Sequence, residues 1–255
     1  MTGLIQDLRY ALRQLRKSLG FTLTAVLTLA FGIGATTAIF SIVEGVLLRP
    51  LPFPDPARLV LFGDVPEGVV DASGTYNATA PAARIYARET HAFSALGAFQ
   101  QTGFELSGLG DAAQISASRL TASVFPALSV SPLMGRTFTQ QEDEDSQQVV
   151  VLSYQMWHSR FHGDPRILGQ TVQLDRKPYE IIGVMPRGFE FPLVPGQLNR
   201  SELWVSMSFT QGELEHGVGS WNYSMVGRLK PGVTPVQAVE DARPAAQEVM
   251  RGFPP

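Results

Sequence analysis

Few residues in this sequence have the types and spacing of a reaction centre. His158 and His162 stand four apart in YQMWHSRFH, a spacing at which two imidazoles on one helix face could share a metal. No third ligand or general-base carboxylate follows at motif distance. The run EDED, Glu142 to Asp145, offers oxygens to a cation. It lacks the alternating acids and the glycine of a calcium loop, and is read as a solvated turn. Gly32 and Gly34 in FGIGATTAIFS open like the dinucleotide fingerprint G-x-G-x-x-G, but Thr37 holds the third glycine position and no strand precedes it. The chain has no G-x-x-x-x-G-K-[ST], no H-E-x-x-H, no G-x-S-x-G and no cysteine, so ATP-phosphate binding and the commonest hydrolytic chemistries lack their residues. The expectation is a protein that is not an enzyme and holds no cofactor and no metal. A tethered enzyme built around His158 ranks last among the functions considered.

The elements that carry these residues are more informative. Leu19 to Val43 contains no Asp, Glu, Lys or Arg. At about 1.5 Å per residue it forms a helix of roughly 37 Å, enough to cross a hydrocarbon core of about 30 Å with some tilt. The glycines then gain another reading: Gly32, Gly34, Ala35 and Ala38 are small residues that let a second membrane helix approach closely. The alternative is that glycine is simply commoner in membrane helices. Arg9, Arg13, Arg16 and Lys17 crowd just before this segment and most acids follow it, which places the N-terminus in the cytoplasm and the residues after about 48 outside. A cleaved signal peptide would have a shorter apolar core and a small-x-small cleavage site. Glu44 and Arg49 read as a pair snorkelling to the outer interface. The formal net charge of -3 gives no footprint for nucleic acid.

Three segments follow: 1–18, an amphipathic helix on the inner membrane surface with Leu4, Leu8, Leu12, Leu15 and Leu19 on one side; 19–48, the membrane helix; and 49–255, an outer α+β domain of one or two lobes. RPLPFPDP, Arg49 to Pro56, has proline at every second position and predicts an extended exit strap. Strands are expected at Arg58–Phe62, Gln114–Leu120, Gln148–Ser153, Glu202–Met207 and Tyr223–Leu229. A hairpin is expected over Thr171–Met185, turning at Asp175, Arg176 and Lys177. Helices are expected at Thr79–Thr90, capped by Thr79, at Tyr154–Phe161, and after the cap Thr234, the last interrupted at Pro244. Trp157, Trp204 and Trp221 read as core or lobe-interface anchors. Trp221, among the glycines of GVGSWNY, is also a candidate periplasmic contact.

The stretches LLRPLPFPDPARLV, SPLMGRTFTQQED, VVVLSYQMWHSRFHGDPRILGQTVQLD, IIGVMPRGFEFP and GRLKPGVTPVQAV together resemble the MacB/FtsX-type ABC transporter permeases. More narrowly, they are similar to acidobacterial-type orphan permeases with a MacB-like periplasmic core domain. The resemblance implies a protein of the bacterial inner membrane, with its N-terminus cytoplasmic and its main domain periplasmic. It further implies a separate ABC ATPase subunit that binds the ATP, other permease copies or membrane helices as neighbours in the bilayer, and a periplasmic adaptor or outer-membrane channel as a candidate partner. The family has three further spans after the core domain. This sequence stops at Pro255, so the expectation is the front portion, or a truncated fragment, of an exporter permease. The alternative is a single-span anchored binding or scaffolding module without transport activity. Ser129, His162 and Arg176 stand where the family pattern leads one to expect glycine, and Pro244 lies in a helix that is usually unbroken.

Overall fold

A computed structural model describes residues 13, 16–43, 53–64, 77–108, 112–192, 200–216 and 220–252. The chain divides into two compact units, Met1–Leu51 and Pro52–Pro255, and each is described by itself.

The first unit is dominated by α1 (Leu19–Val43), 25 residues whose described side chains are almost all exposed. A helix apolar on every side has no core-facing stripe and suits a hydrocarbon surround. Its hydroxyls are internally satisfied: Thr24, Thr28 and Thr36 donate to the carbonyls of Gly20, Thr24 and Gly32 at 2.7–3.0 Å. That back-bonding removes the cost of placing a hydroxyl where no water can reach it. By length and composition, Leu19–Thr37 is able to cross a membrane. The expected helix over 1–18 and the Glu44/Arg49 pair fall mostly outside the described residues. Of the basic cluster, Arg13, Arg16 and Lys17 are exposed, and Arg9 lies outside the described residues.

The second unit is a mixed α+β domain. Its strands are β1 (Leu59–Phe62), β2 (Phe93–Ser107), β3 (Ala113–Leu120), β4 (Met134–Gly135), β5 (Val149–Leu152), β6 (Thr171–Leu174), β7 (Lys177–Val184), β8 (Leu203–Ser206) and β9 (Ser224–Leu229). Its helices are α2 (Ala80–Glu89), α3 (Val124–Leu128), α4 (Gln140–Glu144), α5 (Tyr154–Arg160), α6 (Gln211–His216) and α7 (Pro235–Arg251). The strands run β1-β9-β2-β3-β8-β5-β7-β4, and β6 joins β2 to β7. That join closes a ring: β2, β3, β8, β5, β7, β6 and back to β2. Every strand of the ring sends residues into one aliphatic core, among them Leu106, Ile115, Val150, Val172, Ile181 and Leu203.

Outside the ring, β1 and β9 pair with the first half of β2, and α2 packs on α7 over a core built largely of alanine, with Ala82, Ala83, Ala238, Ala242 and Ala245 all buried. Both helices start as their caps predict. Thr79 accepts from the Ala82 N–H, and Thr234 forms a capping box with Gln237. A third, aromatic cluster fills the opposite face, where the Trp204 indole donates to the Phe191 carbonyl at 2.8 Å. Phe53 meets Phe189 and Phe191 there.

Several expectations need correction. The exit strap is not extended throughout: Asp55 has φ 46° and Pro56–Arg58 makes one 3-10 turn, because proline is well suited to the first position of a turn. The 15-residue β2, the longest strand, and the short helices α3, α4 and α6 have no counterpart among the predicted elements. α7 runs unbroken through Pro244. Pro244 and Glu240 are both exposed, so the carbonyl that loses its donor faces water, while Ala238, Ala242, Ala245 and Val249 hold the other side to the core. The acidic run is not a solvated turn either. Glu142 and Asp143 are buried, Glu142 closing the capping box of α4 with Thr139.

Gly135 and Gly183 are register partners where β4 meets β7. A Cβ on either would lie 2.1–2.2 Å from a carbonyl oxygen, of Ile182 or Arg136 respectively, so only glycine permits this approach.

Candidate functional site

Gly32, Gly34 and Ala35 are exposed on α1, and a Cβ built on either glycine meets nothing within 4 Å. At about 100° per residue these three and Ala38 share one half of the helix circumference. The side chain of Ala38 lies outside the described residues. The geometry thus leaves this face open to a neighbour.

His158 and His162 do not share a helix face. α5 ends at Arg160, and His162 adopts φ 54°, which turns the chain out of the helix. His158 stacks on Tyr154 at 5.9 Å, and Tyr154 in turn lies under the Arg187 guanidinium at 4.9 Å. Among the described residues no group of three His, Asp or Glu could hold a metal ion. Trp157 donates to the Asp164 carbonyl and Trp204 is fully buried, the anchor role read from sequence. Trp221 is half-buried just before β9.

A groove that no motif announces lies between α2 and the α3–α4 segment. Two cavities of about 570 and 600 Å³ adjoin, and share Ala87, Leu96, Ser123 and Gln140 as lining residues. Its floor is the first half of β2. Its α2 wall carries Ala83, Arg84, Ala87 and Arg88, and its α4 wall Gln140, Asp143 and Glu144. Gly97 lets the floor press on α3, since a Cβ there would sit 2.7 Å from Val124 Cγ2.

Charge networks brace the groove from behind. Asp143 accepts the N–H groups of Ala122 at 3.3 Å and Ser208 at 2.7 Å. Burial still holds its carboxyl above the usual range. Arg119 on β3 grips Glu213 on α6 at 2.7 Å and donates to the Met207 carbonyl. Glu213 also accepts from the Tyr223 hydroxyl and the Thr210 N–H. Burial alone would raise the Glu213 carboxyl, but these donors, Arg119 foremost, hold it down to about 2. Burial, then Glu213, pushes the Tyr223 hydroxyl up to about 12. Arg136 pairs with Glu142 at 2.7 Å and, against burial and with the help of Thr139, draws that carboxyl to about 2. These groups are all engaged with one another, which makes them braces rather than reagents. The acidic run was the sequence signal for part of this network. Arg119, Glu213 and Tyr223 are too far apart in sequence to form a motif.

The family model described as "MacB-like periplasmic core domain" matches residues 22–245. A curated relative, the macrolide export ATP-binding/permease protein MacB of Salmonella paratyphi A, is 29% identical over 124 residues, which is 49% of this chain and 18% of the relative. The match therefore spans less than a fifth of that protein's length. Among solved structures, the periplasmic region of MacB from Actinobacillus actinomycetemcomitans superposes with a TM-score of 0.53 at 15% identity, covering 76% of this chain and 84% of that one. The extracellular domain of the noncanonic ABC-type transporter YknZ from Gram-positive bacteria gives 0.50 at 16% identity, covering 77% and 94%. At such identities the likeness is one of fold.

Proposed function

Because this chain belongs to the family defined by the MacB-like periplasmic core domain, we propose that it is a membrane permease component of a MacB/FtsX-like ABC exporter of the bacterial inner membrane. Its work is mechanical rather than catalytic. ATP is bound on a separate ATPase subunit, as membership of this family implies. Movement of that subunit reaches the periplasmic domain through α1, and the domain drives substrate outward or engages a partner there. Other membrane helices pack on the small-residue face of α1.

One observation carries this reading above the rest. The family match begins inside α1, at residue 22, and continues to residue 245 in α7, so the apolar helix and the sheet domain are inherited as one device.

The test is purification of the tagged chain from its native membrane in mild detergent. A vanadate-sensitive ATPase activity should co-elute. Replacing Gly32 and Gly34 together by leucine should weaken the association, while the thermal unfolding of the outer domain stays unchanged. A folded chain that elutes without ATPase activity would support the anchored binding module instead. Topology has its own check, made clean by the absence of cysteine: an impermeant maleimide should label Arg176→Cys in intact spheroplasts and Arg13→Cys only after lysis.

A further inference from the structure

The floor of the groove is an interrupted sheet edge. Ala98 exchanges hydrogen bonds with Thr121, accepting from its N–H and donating to its hydroxyl, both at 2.9 Å, so its backbone groups point toward β3. The register of β2 against β9 is regular from Ala95 to Phe99. Alternation along a strand therefore turns the N–H and C=O of Leu96 to the same side as those of Ala98. On that side β3 has already ended, at Leu120, and pairing with β2 begins only at Phe99. No partner for the Leu96 N–H or C=O occurs among the described residues. Leu96 also lies at the waist where the two cavities meet.

We infer that this groove binds an extended peptide segment of a partner protein, which continues the line of β3 and pairs its backbone with Leu96. A buried backbone donor and acceptor want partners, and strand addition is the mode that supplies both together. The walls fit such an occupant. Ala83 and Ala87 leave room on the α2 side for a small side chain.

The charge balance selects its character. Arg88 is neutralised by Glu89 at 2.6 Å and Glu248 at 3.3 Å, and Asp143 is buried against two backbone N–H groups, whereas Glu144 on the α4 wall is exposed and keeps its charge beside the Gln140 amide. Arg84 is exposed and has no partner among the described residues. The peptide therefore carries an acidic residue on its α2-facing side, toward Arg84, and none on the side that faces Glu144.

The experiment selects decapeptides from a displayed random library on the full-length chain in nanodiscs, with Ala87→Trp, which fills the waist, as counter-selection. Wild-type-specific peptides with an acidic residue at one fixed position, the one that faces Arg84, are expected. N-methylation of the best peptide should weaken binding about tenfold at the residue opposite Leu96, as loss of one backbone hydrogen bond would, and little at its neighbours. Arg84→Glu should reverse the preference from acidic to basic peptides. The inference is overturned if no peptide prefers wild type over Ala87→Trp while that variant unfolds at the same temperature. It is equally overturned if N-methylation has no position-dependent effect, which would mean capture by side chains alone. Neither outcome bears on ATPase co-purification, so the permease reading stands or falls separately.

Discussion

The closed ring and the α2–α7 layer share strand β2, yet they are built differently. The ring leaves its strands no free long edge, and its core is leucine, isoleucine and valine from every strand. The layer keeps β1 as an open edge, breaks off β3 beside β2, and packs its helices over alanine. Branched side chains interlock, whereas alanine faces let helices shift with little loss of contact. In a domain of this family, the ring is suited to be the rigid body and the layer, with the groove, the part that changes shape.

The sharpest way to break this contrast is to hollow the ring. Leu152 is fully buried in its core, and Leu152→Ala should cost about 2–5 kcal/mol, read as a lower urea midpoint at unchanged slope. The comparable strain in the layer is overfilling. Ala242→Leu, between α2 and α7, should cost about 1–3 kcal/mol. If Ala242→Leu proved neutral, the layer would be looser than its burial suggests. If it cost more than Leu152→Ala, the assignment of rigid and yielding parts would be reversed.

Much of this architecture was legible in the sequence because local signals agreed with it. Thr79 and Thr234 cap the helices they announce, Val149–Leu152 is a buried strand, and Asp175 and Arg176 make a two-residue hairpin turn. β2 was not legible. Its burial changes from nearly continuous to alternating partway along, because its first half is covered on both faces and its second half lines the ring, so no single period shows. The groove was hidden for a related reason. It exists because β3 ends before β2 begins to need it, and pairing length is a tertiary fact. Pro244 misled because here the carbonyl it frees, that of Glu240, is solvated while the opposite side of the helix is held to the core.

Acid should separate the two regions further. Glu142 and Glu213 brace α4 and α6 beside the groove, and both are held at about 2 in the fold against an ordinary value near 4.5. A depressed folded value means the contribution is fully present above about pH 4.5 and is lost as pH falls toward 2. Both pairs are partly solvated, so screening limits each to about 1 kcal/mol. Protection factors, which divide out the intrinsic pH dependence of amide exchange, should fall in α4 and α6 between pH 7 and pH 3 while those of the ring strands are kept. A uniform fall across both regions would show that the braces are not local. Glu142→Gln with Glu213→Gln should flatten the difference.

The smallest effects concern backbone rather than packing, and they test the sequence pattern directly. Ser129, His162 and Arg176, the three positions where the resemblance leads to an expectation of glycine, have φ of 55°, 54° and 64°. This is the left-handed region, where a Cβ costs about 1–2 kcal/mol and glycine costs nothing sterically. Ser129 ends α3, where its N–H bonds the Pro126 carbonyl and Val130 reaches back to Phe125, the arrangement that favours glycine after a helix. Arg176 follows Asp175 at φ 48° in the β6–β7 turn, and a turn with two left-handed residues prefers Asp-Gly. All three side chains are exposed, so little packing is lost on truncation. Ser129→Gly, His162→Gly and Arg176→Gly should each raise stability by about 0.5–1 kcal/mol, the gain in conformation being partly offset by the greater freedom of glycine in the unfolded chain. Two of these turns belong to the ring side, His162 after α5 and Arg176 between β6 and β7, so their gains should add to a Leu152→Ala background unchanged. Losses at any of the three would mean that the non-glycine side chain does something the backbone does not reveal.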